Sequence, residues 1–295
     1  VNRKQEILDK VQHVPSLPAV VIELRQYLND PDVSFEKLAR IIEYDPGLTA
    51  NVLQLANSPY FSWSRRISSV KEAVIRLGVT RVYQMVLAMS VAPIISKQIR
   101  GYGMEANQLW EHSIAVAIGA EQLGATLAVS GAQDAFTVGL LHDVGKVVLG
   151  TFVEIDDEPI KELVALDGLA FNEAEKQVLG IDHAEVGKAL LERWNLPEEV
   201  VNATAFHHTP DAYEGDTRLL DLVHVVDVLC MKVGWGMGED GLLYRLSEPA
   251  ARRLGMRVEV GEEVICKVMQ GLEELRVLYA PQREGELDGV QHSTR

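Results

Sequence analysis

An all-α protein is predicted from three observations. Apolar residues recur at spacings of three and four through most of the 295 residues, the period of a helix that buries one face. Strand-like alternation is almost absent, with "MRVEV" (256–260) the stretch that shows it. The breaks between periodic runs carry helix-start chemistry at Asp45-Pro46, at Ser69 with Glu72, and at Asp182 with Glu185, because a side-chain oxygen there can satisfy the first free backbone N–H groups.

Taken in order, helices are predicted at 18–29 and 34–43, then at 46–57, whose start is set by the Asp45 cap and a proline at the first position. Ser69 opens the next, 70–77. The helix at 80–98 contains the longest oily stretch, 82–96, interrupted by Gln84, Ser90 and Pro93; it falls short of the roughly 20 apolar residues a membrane span needs and reads as a buried helix. The periodicity continues at 106–127 and at 132–144, which closes on His142-Asp143 ahead of Gly145. Further helices follow at 158–167, 171–179 and 183–194, the last opened by Asp182, then at 197–208 before Pro210, 217–233, 247–254 and 261–279. No internal repeat is evident.

"RGYGMEAN" (100–107) is the best break in this series. It divides an N-terminal helical half, 1–101, from a helical bundle, 102–280, that holds nearly all the histidines. The polar tail, 281–295, lacks a helical period and is expected to be disordered.

Charge narrows the function. With 28 basic and 43 acidic residues the formal net charge is −15, a field that repels a phosphate backbone unless a local basic patch overrides it, so nonspecific nucleic-acid binding is disfavoured and no nucleic-acid partner is expected. Cys230 and Cys266 lack the short spacing of a zinc knuckle or redox motif, and two cysteines in 295 residues do not make a disulfide framework. No basic-then-apolar leader is visible at "VNRKQEILDK". A cytoplasmic protein with no membrane partner is the expectation.

The histidines carry the chemistry. His112 lines up with Leu109, Val116 and Leu123, and His183 with Val186, Leu190 and Trp194. His142 and Asp143 end an apolar helix, and His207 and His208 end another, with His207 in line with Val200 and Ala203. One histidine on an apolar face is usually a hydrogen-bonded core residue. Five, with carboxylates, are costly to bury unless they are paired or bind a cation, so a shared metal site is predicted. Asp227, on the stripe of Leu220, Val223 and Met231, is a further ligand candidate; Asp221 is its rival, though nearer the helix start, where an acid complements the dipole. Lys146 either steadies charge on a phosphoryl oxygen or snorkels near a helix C-terminus. Arg65 and Arg66 contact a phosphate or partner, or are solvated surface, and Tyr60, Phe61 and Trp63 are expected to pack the join between the halves.

The stretches "VPSLPAV", "LARIIEYDPGLTANVLQLANSPYF" and "RRISSVKEAVIRLG" strongly resemble the HDOD family, the HD-related output domains of bacterial signalling proteins, over about residues 12–210. The resemblance implies an HD-superfamily-like helical bundle and a signalling role through protein partners. It also implies kinship with HD phosphohydrolases. In the related HD-GYP phosphodiesterases the ligand order is histidine, histidine-aspartate, histidine, paired histidines and aspartate, an order met here by His112, His142-Asp143, His183, His207-His208 and Asp227.

By that resemblance Asp143 would bridge two cations, with His112, His142 and Asp227 on one side and His183, His207 and His208 on the other. Imidazole and carboxylate ligands without thiolate suit iron or manganese, then zinc. Such a centre activates water for attack on phosphorus, with Asp143 and Lys146 as the catalytic pair and a nucleotide-like phosphoester as substrate. The segment "TPDAYEG" (209–215) lacks the Gly-Tyr-Pro signature of the relatives that act on cyclic di-GMP. The alternative is a non-catalytic output domain that binds signalling partners, its metal structural or sensory.

Overall fold

The computed structural model describes residues 2–28, 30, 32–58, 65–236, 238 and 244–279. The described residues are built from α-helices, with no strand among them, and the one isolated β-bridge pairs Ile99 with Met104. Tyr60, Phe61, Trp63 and the 281–295 tail lie outside the described residues.

The N-terminal helices are α1 (Arg3–Val11), α2 (Ala19–Gln26), α3 (Phe35–Glu43), α4 (Pro46–Ala56), α5 (Val70–Leu77) and α6 (Val79–Ile95). Their caps follow the sequence. Asp45 accepts from the N–H groups of Gly47 and Leu48, and Ser69 accepts from Glu72 N–H, although the Glu72 carboxylate turns to Ser68 rather than closing the box on Ser69. Beyond α4, Asn57 pairs with Ile67 in both directions, its Nδ2–H donating to the carbonyl at 2.9 Å and its Oδ1 accepting the N–H at 2.7 Å. That clamp gives the asparagine a structural task.

The rest comprises α7 (Gln108–Thr126), α8 (Ala135–Leu141), α9 (Lys146–Ile155), α10 (Asp157–Asp167), α11 (Phe171–Leu179), α12 (His183–Arg193), α13 (Glu198–Phe206), α14 (Arg218–Lys232), α15 (Glu248–Arg253) and α16 (Val258–Tyr279). Helix α7 is the hub, packed on α8, α14 and α16 and buried along most of its length. Two glycines allow close approaches beside the histidines. A Cβ on Gly139 of α8 would lie 2.6 Å from the Cα of Ala117, and one on Gly145 would lie 2.0 Å from the carbonyl of His183. Only hydrogen fits at either place, so α8 touches the backbone of α7, and the start of α9 touches that of α12.

The structure departs from the sequence reading at five points. "MRVEV" is not a strand: from Val258 it enters α16, since five alternating residues cannot outweigh the helical period that follows. Helix α1 was missed because its buried face is only Ile7 and Val11. It packs on α9 and α12, held by Arg3 on Asp156 at 2.7 Å and by Trp194 Nε1–H on the Pro15 carbonyl at 3.0 Å. Helix α9 was also missed, and the helix expected to run to 144 ends at Leu141, leaving His142–Gly145 as a turn. Lys146 is therefore the first residue of α9, not a lysine near a helix C-terminus.

The continuous stretch Ala132–Ile155 has the length and apolarity of a membrane span, with a mean hydropathy of 1.4, but 89% of its most apolar window is buried inside the protein. Helix α6, the oily run singled out from sequence, is likewise packed in the core.

Candidate metal centre

Seven side chains from five parts of the fold converge. His112 comes from α7, His142 and Asp143 from the turn between α8 and α9, His183 from the first position of α12, His207 and His208 from the end of α13, and Asp227 from α14. The local sequence fixes each. Asp182 caps α12, accepting from Glu185 N–H at 2.8 Å, so His183 starts the helix facing inward. His207 is the C-cap of α13. Except for His208, which is half-buried, none of these residues is more than 2% exposed.

They form two groups whose ligand atoms lie within 4.8 Å of one another: His112, His142 and Asp227, and Asp143, His183, His207 and His208. Asp143 faces both. Its Oδ2 lies 3.6 Å from His112 Nε2 and 3.5 Å from His142 Nε2, and its Oδ1 lies 3.3 Å from His183 Nε2 and 3.6 Å from His207 Nε2. Asp227 Oδ1 is 3.0 Å from His112 Nε2 and 3.6 Å from His142 Nε2. Most of these gaps are longer than a good hydrogen bond, yet they are the separation of two ligands that share a cation at about 2.1 Å.

The opposite ring nitrogens are anchored. Nδ1 donates to the carbonyl of Trp235 in His112 (3.1 Å), of Gly139 in His142 (2.8 Å) and of Thr204 in His207 (2.7 Å), and to Glu175 Oε2 in His183 (2.8 Å). A carbonyl or carboxylate can only accept, so each Nδ1 carries the hydrogen and each Nε2 is directed into the shared space. His142 Nε2, Asp143 Oδ1, His207 Nε2 and both Asp227 oxygens have no hydrogen-bond partner there. Buried polar atoms left orphaned in such number are costly, and a bound cation would satisfy them together. The residues therefore fit a metal.

Electrostatics favour ligand forms at the two aspartates and at His207 and His208, while neighbouring carboxylates raise His142 and His183 against burial. Against the burial that favours the neutral acid, Lys146 and His142 hold Asp143 well below the usual carboxylate range. Against the same penalty, His112 and His142 do so for Asp227. Burial pushes His207 down to about 4 and holds His208 well below the ordinary imidazole value, leaving both neutral, as ligands must be. His183 goes the other way: although burial lowers it, Glu175 and Asp143 raise it to about 10.

Lys146 is buried with its Nζ 2.7 Å from Asp143 Oδ2 and 5.5 Å from the centre of the Tyr102 ring. Asp221, the rival carboxylate, belongs to neither group: it accepts from Arg253 at 2.6 and 2.8 Å and from Thr217 Oγ1 at 2.9 Å. Arg65 and Arg66 are exposed and also belong to neither group.

Sequence reasoning missed the support. Fully buried Glu175 on α11 accepts from His183 Nδ1, from His183 N–H at 2.9 Å and from the Tyr102 hydroxyl. Its signal was present, an acid four residues after Phe171 and four before Leu179. His224 was also overlooked. Its Nδ1 donates to the His207 carbonyl at 2.7 Å and its Nε2 accepts Ser247 N–H at 2.9 Å, positioning the segment whose Tyr244 stacks on His208 with ring centres 4.1 Å apart.

Comparison with known proteins places the chain. The model of the HDOD domain matches residues 14–210, more than half of its length. The chain belongs to the HDOD domain family. An HDOD domain protein of Geobacter sulfurreducens has a similar crystal structure, with a TM-score of 0.71 and 28% identity, covering 93% of this chain and 94% of that one. A protein of Shewanella amazonensis named as a candidate phosphohydrolase is also similar, with a TM-score of 0.71 and 26% identity over 92% and 97% of the two chains. Among curated relatives, a Treponema pallidum protein is 29% identical over 221 residues, 74% of this chain and 42% of that protein. Ribonuclease Y of Thermus thermophilus is 31% identical over 173 residues, 59% of this chain and 25% of the enzyme. The HDOD chain thus spans less than half the length of the curated relatives it matches.

Proposed function

We propose that this HDOD protein is a bacterial signal-transduction protein that holds two divalent cations, iron or manganese before zinc, and hydrolyses a nucleotide-like phosphoester. The observation that carries this reading is the position of Asp143 between the two ligand groups, one carboxylate oxygen toward His112 and His142 and the other toward His183 and His207. Asp143 would be shared by the two cations, with His112, His142 and Asp227 completing one site and His183, His207 and His208 the other. Two cations in such a cage supply Lewis acidity and an activated water.

The chain's own residues do the rest. The four anchored Nδ1–H groups keep the Nε2 atoms of His112, His142, His183 and His207 aligned without reorganisation. Lys146 brings a buried positive charge to the centre, where it opposes the negative charge that grows on a phosphoryl oxygen. The resemblance to the Shewanella protein supports phosphoester chemistry, and ribonuclease Y, by its name, acts on a phosphodiester. The net charge of −15 argues against RNA itself as substrate here. We assign partner docking to the N-terminal half, 1–101, and the centre to 102–280, in a cytoplasmic protein.

The second reading, a non-catalytic output domain with a structural or sensory metal, is favoured by one observation: the ligand set is buried, and its half-buried member, His208, lies under the Tyr244 ring. The test is turnover of bis(nitrophenyl) phosphate and a panel of cyclic nucleotides by iron- or manganese-loaded protein. The catalytic reading expects hydrolysis that Lys146→Ala slows by about 100-fold with metal content retained. Metal-replete protein inactive on the whole panel would leave the second reading.

A further inference from the structure

Away from the histidines, helices α1, α6 and α9 enclose a cleft of about 520 Å³, within the size range of small-molecule sites. Its floor is apolar, formed by Pro18, Pro93, Ile94, Val148 and Phe152. Its rim is basic: Lys10 and His13 approach from the end of α1, and Lys97 from just beyond the end of α6. No carboxylate is among the described residues that line it. In a chain with 43 acidic and 28 basic residues, three basic side chains converging without an acid depart from the general surface. Each lysine complements the end of its own helix, which accounts for its presence but not for their meeting over one oily floor.

We propose that this cleft binds a small anionic amphiphile, an apolar chain or ring that carries a single carboxylate or sulfonate head. The apolar body covers Pro18, Pro93 and Ile94, removing oily surface from water. The head lies between Lys10 and Lys97, whose aliphatic stems extend the floor while their ammonium groups stay at the rim. An acidic peptide is the competing occupant, but a compact pocket with one basic rim suits one head group better than a chain of spaced charges. This site uses none of the proposed metal ligands and stands apart from the function proposed above. It leans on α9, the helix that begins at Lys146.

The test uses the full chain. Anilinonaphthalene sulfonate is titrated by fluorescence, with laurate and a glutamate-rich peptide as competitors and thermal melting as the check on folding. The expected result is saturable binding of one probe per chain, displaced by laurate, with affinity reduced at least about tenfold in the Lys10→Glu/Lys97→Glu double variant. Thr151→Trp, which fills the cleft from an exposed position without altering its charge, is expected to abolish binding. Folded variants that bind the probe as the parent does would overturn the proposal, as would displacement by the peptide but not by laurate.

Discussion

Glu175 and His183 are joined twice: one carboxylate oxygen lies 2.8 Å from the imidazole Nδ1 and 2.9 Å from the backbone nitrogen of the same residue. The other oxygen accepts the hydroxyl of Tyr102. A fully buried acid thus fixes both the start of α12 and the direction in which His183 presents Nε2. Removing its charge while keeping its shape should weaken the metal site: Glu175→Gln is expected to lower metal affinity by about 10- to 100-fold, read by competition with a chelator of known affinity. Unchanged affinity would show that His183 needs no such orienting partner.

The two aspartates differ in what they face. Asp143 lies between both groups, whereas Asp227 approaches only His112 and His142. Asp143→Ala is expected to strip both cations, and Asp227→Ala to weaken mainly one. Elemental analysis of the purified variants distinguishes them, and equal loss in both would remove the bridging assignment.

Gly145 is a packing test. Its absent side chain lets α9 start where a Cβ would lie only 2.0 Å from the His183 carbonyl oxygen. Gly145→Ala is expected to cost about 2 kcal/mol and to disturb His142, Asp143 and Lys146 together. Denaturant midpoints with and without metal measure both effects, and a variant as stable as the parent would contradict the close approach.

Metal binding should also release protons. His183 is held at about 10 in the metal-free protein, its charge kept, against burial, by Glu175 and Asp143. A cation at Nε2 displaces that proton, so apparent affinity is expected to rise with pH through the neutral range and to fall on acidification. Titrations at several pH values check the sign. A flat profile would place the cation elsewhere.

The sequence was most legible where one face of a helix decided the outcome. The stripe containing His112, and that containing His183, both point inward as periodicity requires, and the caps at Asp45 and Asp182 form as expected. Asp227 and Asp221 occupy one helix, and periodicity alone could not separate them; Arg253, 32 residues beyond Asp221, did so by claiming its carboxylate. Lys146 was misplaced for a local reason. "HDVGK" reads as the end of a helix, yet the chain only turns there and starts α9 at once, because Gly145 lets it lie against α12. Glu175 left a local trace, an acid on an apolar stripe between Phe171 and Leu179, but Tyr102 escaped because its importance lies in a contact across 73 residues, which no local pattern records.

The most direct measurement is metal content per chain by elemental analysis of protein purified without chelator. The account expects about two equivalents of iron or manganese, falling to near zero in Asp143→Ala. Protein that holds no metal even after anaerobic reconstitution with iron and manganese would contradict it.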